Sequence, residues 1–384
     1  MIGALPTGHD RPRILGRYDT GRPGLALVVV VGIHGNEPAG VTAIGRVLDT
    51  LARRGVPVRG SVVAVLGNRA ALAARRRFLH QDLNRMWTRE AVAQVRATGA
   101  SADGGERGEQ RELLATLDQL LAPPRSDVVV VDLHSTSAPG PPFACFSDTL
   151  SSRAVARATE LPLILGLEEA IGGTLLDYLE DLARPAVLVE GGQHDDPTSV
   201  LHLEGTVWRI LVRTGLLDAA AVPDFPEHEA RLAAAVRGLP RVVEVVYRHA
   251  IADADRFRMR PGLGSFRAVR RGDVLADDRR GPVAAPVSGL LLMPLYQEQG
   301  NDGFFLGRPV RRSWLSVSRI VRTLRADRLL PSLPGIARDP DRPHRLLVDT
   351  RVARWFPRQA FHLAGFRQLP PRDGKLVFTR RVET

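Results

Sequence analysis

The chain has 384 residues with hydrophobic content of 44%, enough for sizeable cores, so an intrinsically disordered chain is excluded. Its formal charge is +11, yet Lys375 is its one lysine, so 52 of the 53 basic residues are arginine, spread along the whole sequence. That skew fits the compositional bias of a GC-rich genome better than a nucleic-acid-binding patch, and the single Cys145 excludes both an intrachain disulfide framework and a multi-cysteine zinc cluster.

The residues before Pro23 are polar, with scattered Arg, Gly and Pro and no apolar stretch of signal-peptide length. Leu25–Gly32 is the first strand expected, and Glu37–Arg54 follows with helical periodicity. Ser61–Leu66 is the next strand. Ala97–Arg107 is Gly-rich and charged and reads as an exposed, mobile loop, followed by a leucine-rich helix over Arg111–Leu121. Asp127–Leu133 and Pro185–Glu190 are further Val/Leu-rich strands, and 204–237 looks helical. Near-continuous apolar strands alternating with helices predict an α/β fold with a mainly parallel sheet covered on both faces. The pattern changes near 238–240. Arg241–Arg248 alternates, and Gly, Pro and Asp turn signals recur closely, which predicts a smaller all-β domain over 239–317. Beyond it lies an Arg- and Pro-rich extension, 318–384, with a helical piece at Ser316–Leu330 and a tail that packs on the body. No run is long enough to span a membrane. A cytoplasmic location is the expectation.

Four polar motifs fall at or beyond the ends of expected strands, where open α/β sheets form their sites. In Gly32-Ile33-His34-Gly35-Asn36-Glu37-Pro38, His34 and Glu37 can converge on one zinc ion. The same turn also suits helix capping by Asn36, with Glu37 at the positive helix end. Asp132-Leu133-His134-Ser135-Thr136 offers His134 as a third ligand, and two His plus one Glu leave the open position of a catalytic site. Val189-Glu190-Gly191-Gly192 places a carboxylate where it could move protons, with glycines that allow close approach to a substrate. Arg77-Phe78-Leu79-His80-Gln81-Asp82-Leu83-Asn84-Arg85 supplies guanidinium groups for an oxyanion or a carboxylate.

These segments, GIHGNEPAG, RFLHQDLNR, DLHST and VEGG in that order, resemble the succinylglutamate desuccinylase/aspartoacylase family of zinc carboxypeptidase-like amidohydrolases. The resemblance implies one Zn2+ per chain held by His34, Glu37 and His134. It implies Glu190 as the base that activates water, Arg77 as the group that polarises the scissile carbonyl, and Asn84 with Arg85 as the binders of a substrate carboxylate. Asp82 matches an acidic motif position that stands behind the reacting groups. In the family a C-terminal β domain narrows the entrance to the site. The stretch Gly264–Leu292 also resembles a lipoyl-like sandwich, but it has no lysine to carry a prosthetic group, which favours a structural lid. Tyr296 does not align clearly with the tyrosine some members use against substrate.

The expectation is therefore a zinc-dependent amidohydrolase, acting on the amide of a small carboxylate-bearing N-acyl amino acid. Nucleic-acid and membrane partners are not expected, and homo-oligomerisation is left open. A metallocarboxypeptidase acting on peptides is the first alternative, and a non-enzymatic basic binding protein the second. His194 beside Asp195 and Asp196 reads as a solvated loop, His80 as packing within the arginine motif, His362 as a satisfied core histidine and Cys145 as inert.

Overall fold

The computed structural model describes residues 12–99, 104–122, 127–222, 224–342, 345–349, 351–352, 358–372 and 374–381. The chain opens with β1 (Ile14–Asp19), β2 (Arg22–Val31), α1 (Ala39–Arg54), β3 (Arg59–Leu66), α2 (Arg69–Ala74), α3 (Arg89–Ala97) and α4 (Gly105–Leu120). It continues through β4 (Val128–Thr136), β5 (Phe143–Cys145), α5 (Leu150–Ala158), β6 (Leu163–Leu165), α6 (Leu167–Ala170), α7 (Leu175–Asp181), β7 (Ala186–Gln193), α8 (Pro197–Arg213) and α9 (Phe225–Ala235).

The strand at the centre explains the fold class. Leu27, Val29 and Val31 of β2 enter one hydrophobic cluster, while Ala26, Val28 and Val30 enter another on the opposite face. Both faces are buried, so the strand is apolar throughout, as parallel strands under helices on both sides must be. Helix α1 covers the first face with Val41, Ile44, Val47, Leu48 and Leu51. Helix α4 covers the second with Leu113, Leu114 and Leu117. Strands β3, β2, β4 and β7 pair parallel in that order, so their carboxyl ends lie together.

The chain next forms β8 (Val242–Ala250), β9 (Arg258–Met259), β10 (Ala268–Val269), β11 (Val274–Asp278), β12 (Gly281–Ala284), β13 (Gly289–Leu292) and β14 (Asp302–Pro309). This is the expected all-β stretch, but it is not detached from the sheet. Strand β8 pairs parallel with β6 on one side and antiparallel with β14 on the other. One eleven-stranded sheet results, in the order β1-β3-β2-β4-β7-β5-β6-β8-β14-β13-β10. The β region still has its own core, including Met259, Leu275, Leu291, Phe304 and Leu306.

The extension holds more order than expected. Helix α10 (Arg312–Thr323) is followed by a four-stranded antiparallel sheet of β15 (Ile336–Arg338), β16 (Arg345–Val348), β18 (Lys375–Arg380) and β17 (Phe366–Arg372), in that order. Its strands are short and interrupted by Arg and Pro, so alternation gives little signal, while Leu346, Val348, Phe361 and Phe378 make a small core. Of the loop expected over 97–107, residues 100–103 lie outside the described residues, and 105–107 are the first turn of α4. The helical stretch over 204–237 is two helices, α8 and α9, separated after Arg213. Among the described residues, no helix is long and apolar enough to cross a membrane.

Candidate metal centre

Glycine 35 shapes the turn after β2. A Cβ there would fall 2.0 Å from the Ala71 carbonyl carbon, so only glycine lets this turn lie against α2. The turn carries His34 and Glu37 into the sheet's carboxyl-end crevice. Asn36 does not cap α1; its Nδ2 donates to Gln297 Oε1 at 2.7 Å in the β region. His134 reaches the same point from the end of β4.

The three expected ligands converge. His34 Nδ1 lies 2.8 Å from Glu37 Oε1, and His134 Nδ1 lies 3.0 Å from Glu37 Oε2. Ligand atoms of all three lie within 4.8 Å of one another, and all three residues are buried. The outer nitrogens face carboxylates: His34 Nε2 is 3.1 Å from Asp82 Oδ1, and His134 Nε2 is 2.9 Å from Asp132 Oδ2. Imidazoles backed by carboxylates, with inner nitrogens turned to one shared point, are the donor set of a carboxylate–histidine–metal arrangement. The residues present thus fit a zinc ion. Burial alone would raise the Glu37 carboxyl, but His34 and His134 outweigh it and hold the group well below the usual range. Burial likewise opposes ionisation of Asp82, yet Arg77 and His34 hold it low.

Glu190 is the register partner of His134 on the adjacent parallel strand β7. Its Oε2 is buried without a protein partner. Burial, assisted by the Glu37 and Asp132 charges, pushes its carboxyl up to about 8, although His134 and Arg77 pull the other way. Its glycine neighbour serves packing rather than substrate approach: a Cβ at Gly191 would meet Leu203 Cγ at 2.5 Å and the Ser199 carbonyl oxygen at 2.9 Å on α8.

The arginine motif is held by a residue that the sequence hid. Glu106, buried at the start of α4, accepts from the backbone N–H groups of Leu79, His80 and Gln81 and from Asn68 Nδ2. Within this loop, Arg77 Nε and Nη2 donate to Asp82 Oδ2 at 3.2 and 3.0 Å, and Arg77 Nη1 lies 3.7 Å from Glu37 Oε1. Asn84 Oδ1 accepts from Leu175 N at 2.9 Å, tying the loop to α7. Arg85 Nη2 donates to Asp302 Oδ2 at 2.9 Å, and Arg248 Nε binds the other oxygen of that carboxylate.

One cavity collects His34, Glu37, Arg77, Asn84, Arg85, His134 and Glu190, whereas Asp82 stands behind His34 and Arg77. The β region closes over the same cavity with Met293, Leu295, Gln297, Asp302 and Phe305. Tyr296 is not in its wall: the hydroxyl donates to the Arg260 carbonyl at 2.6 Å and accepts from Leu263 N. His194 departs from the solvated loop expected for it. Its Nδ1 lies 2.8 Å from Ser135 Oγ and its Nε2 lies 3.1 Å from Gln297 Oε1, which joins the strand bearing His134 to the β region. Its place directly after the VEGG strand was the signal available. Cys145 also lines the cavity, buried, and burial pushes its thiol up, so it stays protonated. His362 lies between Glu169 and Glu244, an ion-paired position rather than an apolar one.

Known proteins resemble this chain in part. The profile of the succinylglutamate desuccinylase/aspartoacylase catalytic domain matches residues 23–203. The succinylglutamate desuccinylase of Photorhabdus laumondii is 40% identical over 62 residues, which are 16% of this chain and 19% of that protein. The chain thus matches about a fifth of that relative's length. The structure of a succinylglutamate desuccinylase/aspartoacylase from Rhodobacter sphaeroides superposes with TM-score 0.55 at 17% identity, over 76% of this chain and 87% of that one. Murine aminoacylase 3 superposes with TM-score 0.51 at 20% identity, over 76% of this chain and 97% of that one. At such identities the likeness to solved structures is one of fold.

Proposed function

We propose that this chain, whose residues 23–203 match the succinylglutamate desuccinylase/aspartoacylase catalytic domain, is a member of that family and a zinc-dependent deacylase of small N-acyl amino acids. The observation that carries the reading is the buried His34–Glu37–His134 set sharing a cavity with Glu190. Those three residues would hold one zinc ion, which when bound supplies Lewis acidity toward a carbonyl and acidifies water.

The chain's own groups account for the rest. Glu190 takes the proton of the attacking water and returns it to the departing amine nitrogen, a role its buried and otherwise unpartnered oxygen suits. Arg77, oriented by Asp82, donates to the oxygen on which negative charge develops. Asn84 and Arg85 orient the substrate through its carboxylate. Asp82 and Asp132 orient His34 and His134. The division proposed is a catalytic unit over 1–238, a lid over 239–317 and an extension over 318–384. The lid side chains in the cavity wall favour a short substrate over a polypeptide threaded through a groove.

The test is turnover by zinc-loaded protein of N-acyl amino acids compared with dipeptides, before and after chelation. Chelator-sensitive release of free amino acid from the N-acyl compounds is expected. Faster cleavage of dipeptides would favour a carboxypeptidase, and activity indifferent to chelation would sink the zinc assignment.

A further inference from the structure

The charges in the cavity wall bear on what the substrate carries. Two guanidinium groups line it among the described residues, those of Arg77 and Arg85. Arg77 is committed to Asp82 through Nε and Nη2, and its Nη1 faces Glu37. Arg85 donates from Nη1 to the Asn84 carbonyl and from Nη2 to Asp302, each at 2.9 Å. Its buried Nε has no partner. Asp302 is shared with Arg248, so the Arg85–Asp302–Arg248 group carries one net positive charge. That is enough for one substrate carboxylate.

Among the described residues the remaining wall has no further arginine or lysine for a second one. Phe146, Ile171, Leu176, Leu188, Met293 and Phe305 give it an apolar stretch with Glu168 among them, and Ser137, Thr174, Gln297 and Asn301 add uncharged polar groups. Glu168 faces Arg381 at 2.6 Å, so that arginine is already spent. Burial pushes the Glu168 carboxyl up to about 7, and Arg381 opposes that rise. A second carboxylate on the substrate would meet hydrocarbon, uncharged polar groups and the carboxyl groups of Glu168 and Glu190, a buried charge without a cationic partner. An aliphatic or aromatic group would instead exchange water for hydrocarbon contact.

We infer that the substrate carries a single carboxylate, bound at Arg85, and that its remaining side-chain or acyl portion is uncharged and apolar. This deepens the deacylase reading and rests on it. It sets the chain apart from an enzyme built for an acyl group or amino acid bearing further carboxylates.

The experiment measures kcat/KM of the zinc-loaded full chain with N-acetyl-leucine and N-acetyl-phenylalanine against N-acetyl-aspartate and N-succinyl-glutamate. A preference for the first pair of about tenfold or more is expected; equal rates or a preference for the acidic pair overturn the inference. Asp302→Asn removes a negative charge beside Arg85 and should narrow the preference; an unchanged ratio counts against the charge argument. A binding measurement keeps the two readings apart. In the Glu190→Gln protein, N-acetyl-leucine should raise the melting temperature more than N-acetyl-aspartate does. A larger shift with N-acetyl-aspartate, or none with either, overturns the inference. The expected shift without turnover of any amide by the unmodified chain would remove the deacylase reading and leave the ligand class standing.

Discussion

His134 and Glu190 sit opposite each other in register on the adjacent parallel strands β4 and β7, so a candidate ligand and a candidate base share one rung of the sheet. Parallel pairing brings their side chains to the same end of the sheet, and burial there removes the water that would otherwise solvate Glu190. The spacing between them is set by rigid backbone rather than by loops.

Glu190→Gln keeps the shape and removes the proton acceptor. Hydrolysis of an N-acyl amino acid should fall by about 10²–10⁴-fold with metal content unchanged. Steady-state kinetics with elemental analysis on the same sample checks this, and unaltered kcat removes Glu190 as the base.

His134→Ala deletes one of three donors and leaves Asp132 facing a gap. Metal content should drop from roughly one zinc per chain to a small fraction of that, measured after dialysis against metal-free buffer. Full retention would mean the ion is held elsewhere.

Arg381 ties the extension to the body. Its guanidinium is buried and faces Glu168 at 2.6 Å, Glu169 at 3.0 Å and Glu180 at 3.6 Å. Arg381→Ala leaves these carboxylates without their shared cation, which should cost about 3–5 kcal/mol in urea unfolding. A loss under about 0.5 kcal/mol would show that the three acids find other compensation.

His362 should make stability depend on pH. Burial alone would lower its pKa, but the carboxylates of Glu169 and Glu244 outweigh burial and push it up to about 9. A histidine raised above its unfolded value of about 6.5 stabilises fully below that pH, and the contribution fades as pH climbs through about 9. Between pH 7 and 9 the native chain should lose about 2 kcal/mol that His362→Gln does not lose. Parallel denaturation curves at the two pH values would refute this.

The parallel-sheet architecture and the convergence of His34, Glu37 and His134 were legible because each is written locally. A short, β-branched apolar run such as Leu25–Val31 matches a strand covered on both faces, and the motifs with His34, His134 and Glu190 sit at the ends of such runs. The extension was read less well. Its strands are short, their pairing joins segments such as Arg345–Val348 and Lys375–Arg380, and local periodicity carries no record of such partners.

What the sequence by itself determined is the chemistry on offer: the fold class, the His34–Glu37–His134 donors and the arginine motif. What only the tertiary structure decided is how those charges are spent. Asp302 comes 217 positions after Arg85 and pairs with it while shared with Arg248, and Arg381 comes 213 positions after Glu168. Gln297 meets Asn36 and His194 across the closing β region. Whether an arginine is free for substrate depends on which carboxylate lies within hydrogen-bond reach, and that distance exists only once remote segments have packed.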